Sequence, residues 1–132
     1  MLFVDTSFLA AYALGRDARH TDANRLADVH LARPLITTNL ILGEVWTLLR
    51  NRLGHRQTVE FLDRVHALPS LRLDRVSGAV EAESWEWLRR RDERPYSFVD
   101  ATSFALMRKL RITEALAFDG DFAAAGFVEL RA

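Results

Sequence analysis

Apolar residues fall along this chain in two kinds of block. Short continuous runs alternate with longer stretches in which apolar positions return every three or four residues. The run Leu2-Phe3-Val4 is followed by Leu35-Ile36-Thr37-Thr38, Leu71-Arg72-Leu73-Asp74, Ala115-Leu116-Ala117-Phe118 and Phe127-Val128-Glu129-Leu130. Runs of this length, bounded by turn residues, read as short strands, most of them buried. Between them the helical spacing predicts a short helix from Phe8 to Leu14, capped by Thr6 or Ser7 and ended by Gly15, and a second from Asp17 to Ala32. A third is capped by Asn39 and ended by Gly54, and a fourth runs from about Gln57 to Leu68 with Val59, Leu62 and Val65 inward. Ser77 opens a fifth, Ser97 caps a sixth from Phe98 to about Leu110, and a brief turn of helix at Asp121-Phe122 is stopped by Gly126.

Short strands alternating with helices are the signature of βαβ units with right-handed crossovers. The expected fold class is therefore α/β, a three-layer α/β/α arrangement around a short, mostly parallel sheet. No linker, repeat or low-complexity segment interrupts the pattern, so residues 1–132 read as one domain.

Composition narrows the chemistry more than the fold. Hydrophobic residues make up 49% and charged residues 27%, as in ordinary folded proteins. No apolar run approaches the roughly 20 residues of a membrane span, and the expected location is cytoplasmic. The absence of cysteine excludes disulfides, thiolate catalysis and Cys-ligated zinc, leaving Asp, Glu, His or carbonyl oxygen as metal ligands. With 18 basic and 18 acidic residues the net charge is zero, so any nucleic-acid binding must come from the distribution of charge rather than its sum. Two arginine-rich groups stand out: Arg16 and Arg19 after the first helix, and Arg50, Arg52 and Arg56 around the end of the third. A further run, Arg89-Arg90-Arg91 with Arg94, reads as a solvated helix end.

Four acids occupy positions that are expensive for a lone charge. Asp5 and Asp119 each end an apolar run, and parallel strands would bring both to the carboxyl edge of the sheet. Glu44 lies among Leu40, Ile41, Val45 and Leu48, through which an exposed stripe is hard to draw, and Asp100 lies among Phe98, Val99 and Phe104. Taken singly, Asp5 reads as a helix cap, Asp100 as an acid at a helix start and Asp119-Gly120 as a turn. Taken together they favour one site, where mutual repulsion calls for a cation. With oxygen ligands only, Mg²⁺ or Mn²⁺ is the natural choice.

The segments Phe-Val-Asp5-Thr-Ser, Leu-Gly-Glu44-Val, Ser-Phe-Val-Asp100-Ala-Thr-Ser and Ala-Phe-Asp119-Gly-Asp-Phe, in this order and over essentially the whole chain, resemble the PIN domain and in particular the VapC-type toxins of bacterial toxin–antitoxin pairs. The resemblance implies that Asp5, Glu44, Asp100 and Asp119 form an acidic quartet, with Asp121 as an auxiliary acid and Thr6, Ser7 and Ser103 as polar support. It also implies Mg²⁺-dependent hydrolysis of RNA that leaves 5′-phosphate and 3′-hydroxyl ends, a VapB-type antitoxin as partner, and a homodimer. A catalytically silent PIN-fold module, acting through antitoxin or nucleic-acid binding, is the alternative. An aspartyl-phosphate phosphatase also places Asp at a strand end, but Ser7 stands where that chemistry wants a second Asp.

Overall fold

The computed structural model describes all 132 residues. Five strands, β1 (Leu2–Val4), β2 (Leu35–Thr38), β3 (Leu71–Asp74), β4 (Glu114–Leu116) and β5 (Val128–Glu129), form one sheet in the order β3-β2-β1-β4-β5. Every pairing is parallel, with Phe3 opposite both Ile36 and Ala115, and Val4 opposite Leu116. The expected α/β architecture is therefore present, and its sheet is wholly parallel. Seven helices connect the strands: α1 (Thr6–Ala13), α2 (His20–His30), α3 (Asn39–Leu53), α4 (His55–His66), α5 (Gly78–Arg89), α6 (Phe98–Leu110) and α7 (Asp121–Ala124).

Strand order and handedness assign the layers. The chain steps from β1 to β2 to β3 in one direction, so right-handed crossovers put α1 to α4 on one face. It then returns past β1 to β4 and β5, which puts α5, α6 and α7 on the other face. The helix contacts agree: α1 touches α2 and α3, and α3 touches α4, while α5 and α7 both touch α6. The direction of strand addition reverses between β1 and β4. In an open parallel sheet that reversal leaves a crevice at the carboxyl edge.

The core follows from the apolar runs. Leu2, Phe3, Leu35, Ile36, Ala115 and Leu116 are fully or almost fully buried, and Phe8, Leu26, Ile41 and Leu49 cover one face of the sheet while Phe104, Met107 and Phe122 cover the other. In α6 every residue from Asp100 to Met107 is buried. A helix apolar on all sides belongs in an interior, and its first turn carries an acid into that interior with it.

Several local expectations shift. The cap of α1 is Asp5 rather than Thr6 or Ser7, and the cap of α3 is Thr38 rather than Asn39, whose side-chain oxygen instead accepts from Val76 N at 2.9 Å. Helix α2 begins at His20, three residues later than Asp17, because the Asp17 carboxylate accepts from Arg19 N at 2.7 Å and holds a turn there. In α4 the buried positions are Thr58, Phe61 and Val65, with Val59 and Leu62 only half-buried. The helix starts directly after Gly54, whose φ of 82° turns the chain within one residue.

Candidate active site

Parallel pairing carries Asp5 and Asp119 to the same edge. Asp5 N donates to Leu116 O at 3.1 Å, so Asp5 stands beside the end of β4, and Asp119 follows three residues after Leu116. Asp5 is only 2% exposed. Its Oδ2 accepts from Ser7 N at 3.1 Å and from Ser7 Oγ at 2.7 Å, while Ser7 Oγ accepts from Phe118 N at 2.9 Å. One serine hydroxyl thus joins the acid after β1 to the chain after β4.

Asp100 arrives from the opposite face. Ser97 and Asp100 form a reciprocal capping box, with Asp100 N donating to Ser97 Oγ at 2.9 Å and Ser97 N donating to Asp100 Oδ2 at 3.0 Å. The pair fixes the carboxyl and leaves Oδ1 uncommitted. Asp119 Oδ1 accepts from Asp121 N at 3.1 Å across the tight turn at Gly120, which has φ 82°. Glu129, at the end of β5, accepts from Gly120 N at 3.2 Å and Ala123 N at 3.1 Å and holds the same turn from below. Carboxylate oxygens of Asp100, Asp119 and Asp121 consequently lie within 4.8 Å of one another.

Crowding like charges in a partly buried crevice disfavours ionisation. Burial, then the nearby Asp119 and Asp100, push the Asp5 carboxyl up to about 7 against the lowering effect of Ser7. Asp100 is pushed up to about 6, again chiefly by burial, with Asp119 and Asp121 adding and the Ser97 N–H opposing. Asp119 is also raised, by burial first and then by Asp121 and Glu129, while the Asp121 N–H pulls the other way. Acids held above their ordinary range beside one another mark a place where a cation would be stabilising.

Of the residues singled out from sequence, Asp100, Asp119 and Asp121 form the tight triad, with Asp5 behind it. Glu44 lies outside the triad and is exposed on α3, on a stripe with Gly43, Thr47 and Arg50 that the apolar spacing concealed. It is tied to the site indirectly, since Thr6 Oγ1 donates to Glu44 Oε1 at 2.5 Å. The Ser103 hydroxyl is buried and donates to Val99 O at 3.0 Å within its own helix. Arg19 lies 5.4 Å over the ring of Phe118, the residue before Asp119. Arg50 and Arg52 sit in the last turn of α3, and Arg56 pairs with Glu60 at 3.2 Å on α4.

Arg94 is no solvated helix end: its Nε and Nη2 lie 2.9 and 2.8 Å from Asp121 Oδ1. The helix ends at Arg89, so Arg94 lies in the loop that leads to the Ser97 cap of the Asp100 helix. Glu129 was missed although it obeys the same rule as Asp5 and Asp119, an acid at the end of a parallel strand.

An acidic crevice where strand order reverses in a small wholly parallel sheet is the layout of a PIN domain, and the sequence matches that family over residues 2–128. The chain belongs to the PIN domain family. It is 53% identical over 133 residues to the 23S rRNA-specific endonuclease VapC20 of Mycobacterium tuberculosis, in strains CDC 1551 / Oshkosh and ATCC 25618 / H37Rv, covering 99% of this chain and 98% of the relative. The crystal structure of Mycobacterium tuberculosis VapC20, described as a sarcin-ricin loop cleaving toxin, superposes over 100% of both chains with a TM-score of 0.93 and 52% identity.

Proposed function

We propose that this protein is a divalent-cation-dependent endoribonuclease toxin of a VapBC-type pair. It hydrolyses an RNA phosphodiester with water as nucleophile and leaves 5′-phosphate and 3′-hydroxyl ends. The observation that carries the reading is the Asp100, Asp119 and Asp121 triad with oxygens within 4.8 Å of one another. The similarity to a 23S rRNA-specific endonuclease over 99% of the chain supports ribosomal RNA as the substrate class.

The donor set fits a hard cation. It offers carboxylate oxygens alone, at least one of them free of hydrogen bonds on Asp100, and a single guanidinium, that of Arg94 on Asp121, stands against its three carboxylates. Mg²⁺ is the proposed physiological ion and Mn²⁺ a substitute. When bound, such an ion supplies Lewis-acid chemistry, stabilising charge on the phosphate and lowering the pKa of water.

The chain's own residues do the rest. Asp100, Asp119 and Asp121 would hold the ion, Asp100 fixed by its capping box, Asp119 by the Asp121 N–H and Asp121 by Arg94. Asp5, at the closed end of the crevice, adds a fourth carboxylate to the site. Glu44, held by Thr6 at the rim, orients water and accepts a proton. Ser7 keeps Asp5 and the Phe118–Asp119 segment in register. Arg19, and Arg16 in the same loop, bind RNA phosphate beside the crevice. Arg50, Arg52 and Arg56 contact RNA only where it extends past the far end of α3. We further propose that residues 1–132 act as one catalytic domain in the cytoplasm, as a homodimer silenced by a VapB-type antitoxin. No helix is long and apolar enough to cross a membrane.

The test is end-mapping of ribosomal RNA incubated with the wild type, Asp5→Asn and Asp100→Asn in Mg²⁺ or in EDTA. The expected result is discrete cleavage with 5′-phosphate ends by the wild type in Mg²⁺, falling by at least about 100-fold in either variant and vanishing in EDTA. A 2′,3′-cyclic phosphate product, full activity in EDTA, or equal activity in all three proteins would sink the reading.

A further inference from the structure

Among the ion pairs, one enters the acidic triad: Arg94 Nη2 to Asp121 Oδ1 at 2.8 Å. Arg94 Nε donates to the same oxygen at 2.9 Å, and Nη2 also reaches the carbonyl oxygen of Asp119 at 3.4 Å. The guanidinium lies against the Gly120 turn, where an added β-carbon would stand 3.5 Å from Nη2. Both of its bonding nitrogens converge on one oxygen of a carboxylate that belongs to the triad.

The placement is built rather than incidental. Pro95 follows directly, and Tyr96 N donates to Arg94 O at 2.9 Å. The Tyr96 ring packs 4.8 Å from Trp87 and 5.8 Å from Phe104, at centroids, which anchors the segment in the core behind α6. The Ser97 cap of α6 comes next, so one short segment sets both the arginine and Asp100. A guanidinium remains charged at every pH the protein meets, so its effect on the site cannot be titrated away.

We propose that Arg94 is an internal counter-cation that competes with the divalent ion for Asp121 and thereby sets the cation affinity of the site. This rests on the cation-dependent reading above and adds a positioning residue that the acidic motifs do not contain. A divalent ion that takes Asp121 Oδ1 must share it with two N–H donors or displace them. Its binding also brings two positive charges close to a third. Without an ion, the same guanidinium offsets part of the repulsion among the carboxylates.

The experiment is calorimetric titration of Mn²⁺ at pH 8 into the wild type, Arg94→Gln and Arg94→Lys, and into Asp121→Asn with and without Arg94→Gln. Arg94 is exposed, so the substitutions leave the core untouched, and circular dichroism verifies the fold. Arg94→Gln is expected to bind Mn²⁺ on the order of tenfold tighter, and Arg94→Lys, which keeps the charge, to stay within about threefold of the wild type. In the Asp121→Asn background the gain should shrink to about twofold or less. Unchanged or weaker binding by Arg94→Gln overturns the proposal, as does a tenfold gain in Arg94→Lys or an undiminished gain without the Asp121 carboxylate. A wild type that takes up no Mn²⁺ would overturn the cation-dependent reading itself.

Discussion

Asp5 is the residue at which stability and function pull apart. It is 2% exposed and accepts two hydrogen bonds, both from Ser7. With its pKa pushed up to about 7, the folded protein holds a proton that the unfolded chain, near 3.8, has already released. A folded state that binds more protons than the unfolded one loses stability as pH rises. The contribution of Asp5 is thus fullest below about 4 and is lost as pH rises toward about 7; Asp100, pushed up to about 6, acts with the same sign over a narrower window. In EDTA the protein should therefore melt at a lower temperature at pH 8 than at pH 5.5, with added Mn²⁺ restoring the difference at pH 8. Asp5→Asn keeps an acceptor for Ser7 without the charge. It should raise the melting temperature at pH 8 in EDTA by roughly 5 °C while removing cleavage. A variant that melts lower than the wild type at pH 8, with the same pH profile, would show that the buried charge is not the source.

At the level of elements, the site is assembled from helix starts. Asp5, Thr38 and Ser97 each cap a helix that begins at the carboxyl edge, and two of those three starts carry a site acid. Capping is readable where it has a unique candidate: Ser97 marks the start of α6 as it stands. It misled where neighbouring polar residues compete, as in Asp5-Thr6-Ser7 and Thr38-Asn39, because carboxylate, hydroxyl and amide all accept from an N–H equally well. The exposure of Glu44 is hidden for a related reason, since apolar neighbours in sequence say little about which side of a helix a residue faces. The Ser7 hydroxyl bridges α1 to the end of β4, and Ser7→Ala should leave Phe118 N–H and part of Asp5 unpaired. A loss of about 1–3 kcal/mol in denaturant unfolding is expected, with weaker Mn²⁺ binding because the Asp119 segment is freed. Ser97→Ala, which breaks the capping box, should lower stability by about 1 kcal/mol and cation affinity together. If Ser97→Ala lowered stability alone, the cap would have no part in setting Asp100.

For the whole molecule, a parallel sheet made most of the centre readable, because acids at strand ends must share an edge whatever their separation in sequence. What stayed hidden, Arg94 above all, depends on where a loop returns after a broken helix, and local pattern does not encode that. The same geometry separates the arginines. The loop from Leu14 to Arg19 brings Arg19 back to the carboxyl edge over Phe118, whereas Arg52 lies about 20 Å along α3 from the helix start at that edge. With a net charge of zero, RNA affinity has to come from such local cations, each contributing to the salt dependence by counterion release. Binding of a ribosomal RNA hairpin, followed by fluorescence anisotropy in EDTA across a salt series, discriminates them. Arg19→Ala should weaken binding several-fold and reduce the slope of log affinity against log salt by about 0.7–0.9, the share of one phosphate contact. Arg56→Ala, which removes an arginine already paired with Glu60, should stay within about twofold of the wild type with an unchanged slope. Equal losses in the two variants would mean that RNA runs along α3 and α4 as well, and that the carboxyl edge alone does not define the binding track.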